Sequence, residues 1–62
     1  MMTVMLAIDI AEGYVPAKSD KEYIGAWQLL VDTGQAWKLQ GWFGRTAAAM
    51  IEDGLIKSNR KT

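Results

Sequence analysis

Residues able to do chemistry are few in this chain, and most lie between Trp37 and Thr46. Gly41-Trp42-Phe43-Gly44-Arg45-Thr46 joins two glycines, which let a backbone come close to a ligand, to the start of a helix, whose first N–H groups are free. With Arg45 and Thr46 added, the set suits an anion or a phosphate. A plainer reading fits the same residues: the glycines make the turn, Phe43 enters the core, and Arg45 pairs with a carboxylate such as Asp32 or Glu52. A G-x-x-G spacing also occurs in an RNA-clamping loop of another fold, but the bare spacing is a weak signal. Just upstream stand Trp37, Lys38 and Gln40, and tryptophan together with arginine is the composition of interface hot spots. Trp37, Lys38, Gln40, Trp42, Arg45 and Thr46 are therefore the candidate partner- or ligand-binding residues.

Other chemistries are poorly served. The chain has no cysteine and no histidine, which removes disulfides, thiolate sites and the usual zinc ligand sets. Ser19 belongs to a helix cap and has no general base beside it, so neither an enzyme nor a cofactor is expected. Asp9 and Glu12 share a helical face and could hold a hard cation, yet two carboxylates on an exposed helix are usually its solvated side. Seven acidic and seven basic residues give a net charge of zero, which argues against nucleic-acid binding through bulk electrostatics. A helix-turn-helix reading fares no better, because the last helix offers Arg45, alanines and the acids Glu52 and Asp53 to a phosphate backbone.

The elements that must position these residues read as helices. Residues 3–12 suit either a helix or a buried strand; Thr3 as N-cap and Gly13 as a left-handed stop favour helix, and no second strand-like run follows. Pro16 interrupts the connector. Ser19-Asp20-Lys21-Glu22 is a capping box, with the serine hydroxyl accepting from Glu22 N–H and the glutamate reaching back to Ser19 N–H. Tyr23, Trp27, Leu30 and Val31 then mark one face of a helix to about Asp32, stopped at Gly34. Gly25 within it is read as the mark of a close approach by another helix. After a short turn in GQAWKLQ, a final helix runs from about Trp42 to Asp53 with Phe43, Ala47, Met50 and Ile51 on one stripe, and Gly54 ends it. Leu55 and Ile56 are expected to fold back onto it. The predicted fold is thus all-α: one three-helix domain over residues 1–56, the middle and last helices paired and the first laid across them, followed by a polar basic tail, 57–62, holding Lys57, Arg60 and Lys61.

At 62 residues a single core supplies only about 3–5 kcal/mol, so small domains usually need further support. Three tryptophans, each with on the order of 200 Å² to hide, strain the capacity of one such chain. Trp27 is placed in the core and Trp42 at the surface, with Trp37 undecided; a homo-oligomer is the expectation. No apolar run approaches the roughly 20 residues of a bilayer span and no secretory signal opens the chain, so a cytoplasmic location is expected.

The segment AWKLQGWFGRTAAAMIEDGLI resembles a family of short phage-encoded proteins of uncharacterised function, with the pattern L-[IV]-D-T-G-x-A-W-x-L-Q-G-x-[YF]-G-R-T-A-x-x-[LM]-I-E-x-G. The resemblance is carried by Leu30, Val31, Asp32, Thr33, Gly34, Ala36, Trp37, Leu39, Gln40, Gly41, Phe43, Gly44, Arg45, Thr46, Ala47, Ile51, Glu52 and Gly54, and the first half of the chain matches in outline. Position 42, often histidine in that pattern, is Trp42. The resemblance implies a phage or prophage origin and, for a small accessory protein, the binding and inhibition of a host factor, plausibly of a defence system. A nucleotide sponge with a pocket between subunits is the alternative, and nucleic-acid binding comes third.

Overall fold

The structure is a computed structural model and describes residues 2–58. Four helices follow one another: α1 (Val4–Glu12), α2 (Asp20–Asp32), α3 (Gln35–Lys38) and α4 (Gly41–Glu52), with no strand among the described residues. The three helices expected from the sequence are present, and the short turn before Gly41 is the fourth.

Residues 3–12 are helical because both ends are closed locally. Thr3 Oγ1 accepts from Leu6 N–H at 3.1 Å. At the other end Gly13 has φ 85, its N–H donates to the Ile10 carbonyl at 3.1 Å, and Tyr14 N–H donates to the Asp9 carbonyl at 2.9 Å, the double bond of a Schellman stop. In α2, Ser19 Oγ accepts from Glu22 N–H at 3.1 Å as the capping box requires. Glu22, however, closes the box one residue further out: its Oε1 accepts from Lys18 N–H at 2.8 Å, not from Ser19. Gly34, with φ 81, follows the Thr33 cap of α2 and is itself the N-cap of α3.

Ala7 and Ile10 of α1, Ala26, Trp27, Leu30 and Val31 of α2, Ala36 of α3, Phe43, Ala47 and Met50 of α4, and Ile56 form one core, with no buried polar or charged residue among the described residues. The helix pairing differs from the expectation. The closest backbones are those of α1 and α2, and α4 lies nearest α3. Between α2 and α4 the aromatic rings span the gap: Trp27 sits 5.7 Å from Phe43 and 6.1 Å from Trp42, centroid to centroid, and Trp42 lies 4.0 Å from Phe43. Large rings hold helix axes apart while filling the space between them.

Gly25 marks no close approach, since a Cβ there would meet nothing within 4 Å. Of the two residues expected to fold back after Gly54, only Ile56 does; Leu55 remains 50% exposed. The backbone of Lys57, the first residue assigned to the tail, is hydrogen-bonded to Gln28 of α2. Arg60 and Lys61 lie outside the described residues.

Of the three indoles, Trp27 lies in the core as expected and Trp42 departs from the expectation. Trp27 is fully buried, while Trp37 and Trp42 are half-buried and packed against the core, so Trp42 is not the free surface residue its offset from the Phe43 stripe implied. Stacking on Phe43 is what covers it. Large exposed apolar side chains are instead Met5, Tyr14, Tyr23 and Leu55. The indoles pack within a single chain, with Trp37 and Trp42 keeping part of their surface exposed.

Candidate partner-binding corner between α3 and α4

Leu39, with an extended backbone, and Gln40 turn the chain from α3 into α4. Gln40 is the N-cap of α4 but makes no side-chain cap bond, and no acidic residue occupies the first turn. The starting N–H groups of this twelve-residue helix therefore lack the side-chain acceptor and the negative charge that most helix starts recruit.

Arg45 adds positive charge at the same place. Its Nη1 lies 3.2 Å from where a Cβ on Gly41 would sit, so the guanidinium is folded back along the helix into room that the glycine leaves. Neither Asp32 nor Glu52 pairs with it: Arg45 is exposed and makes no ion pair among the described residues. Lys38, in the last turn of α3, and Gln40 are also exposed. The result is a cationic corner on a chain with no net charge.

Aromatic rings support the corner from beneath. Gly44 faces Trp37, whose ring carbons would stand 3.6 and 3.9 Å from an added Cβ, while the Ala36 carbonyl would stand at 3.7 Å. Those are ordinary contact distances, so Gly44 sets a snug packing of α4 on α3 without demanding glycine. Trp42 rests on Phe43 and Trp27. Trp37 and Trp42 are half-buried, and Lys38, Gln40 and Arg45 are exposed.

Thr46 stands apart from this group. It is half-buried and, at about 100° of rotation per residue, lies on a different side of α4 from Arg45. No cluster of three or more histidine, cysteine or carboxylate side chains forms among the described residues, and no helix there is long and apolar enough to cross a membrane. Sequence reasoning missed the contact between position 41 and Arg45, although a glycine four residues before an arginine on a helix is a usable signal. It also missed Gln28, whose partner lies 29 residues away and leaves no local trace.

A family model described as a domain of unknown function (DUF7417) matches residues 2–62. The chain belongs to that family. The DUF7417 match extends through α1 and the Pro16 connector, where the sequence pattern matched in outline only. No curated protein and no solved structure matches the chain. DUF7417 carries no assigned activity, so the functional reading rests on the corner itself.

Proposed function

We propose that the protein is a small, non-enzymatic accessory protein of phage type that acts in the host cytoplasm by holding and inhibiting a host protein, one of a defence system. The observation that carries this reading is the Arg45 guanidinium, laid over Gly41 at a helix start with no side-chain cap and with no carboxylate partner among the described residues. Arginine in that setting matches a carboxylate or phosphate in bidentate fashion, and the partner surface it favours is acidic. Lys38 and Gln40 broaden the contact, and Trp37 and Trp42 supply apolar area at its base. The choice of a protein partner comes from the absence of enclosure, since exposed Lys38, Gln40 and Arg45 present an open surface.

The test is affinity capture from host lysate with the wild-type chain and with Arg45→Glu. One protein retained stoichiometrically by the wild type and lost with the folded variant supports the reading. Equal retention by both overturns the role of the corner. A second reading, a phosphate-bearing small molecule at the same place, is favoured by the start of α4, which has no side-chain cap and no acidic residue in its first turn and so suits phosphate oxygens. Mass spectrometry of the purified protein separates it, because a retained nucleotide would displace the first reading.

A further inference from the structure

We propose that the outward face of α4 is the surface through which two copies of this chain pair, antiparallel, around a two-fold axis between Ala48 and Ala49. Phe43, Ala47 and Met50 turn one side of α4 to the core, and Gly41, Arg45, Ala48, Ala49 and Glu52 are exposed on the other. At about 100° per residue, Arg45 and Glu52 lie within roughly 20° of one outward line, with Ala48 to one side of it and Ala49 to the other. The two charges stand about 10 Å apart along the helix, and on this face only the methyl groups of the alanines lie between them.

That charge pattern is its own complement. With the two-fold axis between positions 48 and 49, position 45 of one copy meets position 52 of the other, and 52 meets 45. Both ion pairs form together, one at each end, while the alanines face their counterparts in the middle and let the helix axes approach to about 8 Å. A parallel pair would instead set arginine on arginine and glutamate on glutamate. The helix dipoles favour the same arrangement. No basic residue occupies the last turn of α4, so Glu52 and Asp53 stand at its negative end, where carboxylates are least favoured. An antiparallel copy brings the positive start of its own α4, with its arginine, to that end. Within one chain the charges stay unmatched, since neither Arg45 nor Glu52 makes an ion pair among the described residues.

The twelve residues of α4 extend over about 18 Å, so a contact along this one face falls short of the roughly 1,000 Å² of a stable interface. The dimer is therefore one that dissociates on dilution. The inference goes beyond the host-protein reading and does not rest on it. Both use Arg45, so a host surface that takes the guanidinium displaces the second copy.

Sedimentation velocity on the full chain over a rising concentration series tests the pairing, with circular dichroism to verify that each variant is folded. The wild type should pass from monomer to dimer. Arg45→Glu and Glu52→Arg each set like charges together at both ends and should weaken self-association roughly 10-fold or more. An equimolar mixture of these two variants restores both opposite-charge contacts, as does the chain carrying both substitutions, and each should associate within about threefold of the wild type. Mixing cannot repair a damaged fold, so recovery separates charge pairing from a structural defect. Glu52→Arg also separates this proposal from the host-protein reading, because it removes the dimer and leaves Arg45 in place for capture from lysate. A wild type that stays monomeric throughout the series, single variants that associate as well as the wild type, or a mixture that fails to recover would each overturn the proposal.

Discussion

Helices α1 and α2 begin in one manner and α3 and α4 in another. Thr3 and Ser19 each place a hydroxyl on the N–H three residues ahead, at 3.1 Å in both cases, and Asp20 and Glu22 add negative charge to the first turn of α2. Gly34 and Gln40 make no side-chain cap bond, and the Arg45 guanidinium lies over Gly41 at the start of α4. The first pair of helices is closed by its own sequence, whereas the last is left open and positive. Closed ends serve stability; an open end that gathers cations is useful to a partner bearing negative charge.

Substitutions can break that comparison or sharpen it. The largest effect belongs to the core that both halves share: Trp27→Ala removes the ring to which Trp42 and Phe43 pack, costing about 3–5 kcal/mol, which is the whole stability expected of such a domain. Circular dichroism should find it largely unfolded at 25 °C. Ser19→Ala should cost about 1 kcal/mol, seen as a fall in Tm of roughly 4–8 °C, by loss of the bond to Glu22 N–H. Gly25→Ala should act in the opposite direction, raising stability by about 0.5–1 kcal/mol, because its Cβ meets nothing and alanine is the better helix former. Smallest of all, Gln40→Ala and Arg45→Ala should each change unfolding by less than about 0.5 kcal/mol in chemical denaturation, since neither side chain makes a bond the fold needs. A cost for Gln40→Ala as large as that for Ser19→Ala would erase the distinction between the two kinds of helix start.

Much of the fold could be read from local chemistry. Thr3, Gly13, Ser19, Gly34 and Gly54 mark helix ends through bonds spanning a few residues, and all five act at the ends where they were expected. Packing between helices was less legible, because the spacing of apolar residues tells which face is buried but not which neighbour covers it. That is why α2 was paired with α4, although its closest backbone neighbour is α1. Trp42 was misjudged for the same reason: it lies off the Phe43, Ala47 and Met50 stripe, yet a ring of that size reaches sideways over Phe43. In the candidate site Lys38, Gln40 and Arg45 are each exposed, while Thr46 is half-buried on a different side of α4 from Arg45.

The openness of the α4 start is best tested by titrating sulfate into the protein and following backbone amide shifts by NMR. Gly41, Trp42 and Phe43 should move in a saturable way, Asp20, Lys21 and Glu22 at the capped start of α2 should not, and Arg45→Ala should suppress the movement. Equal movement at both helix starts, or none at α4, would contradict the account.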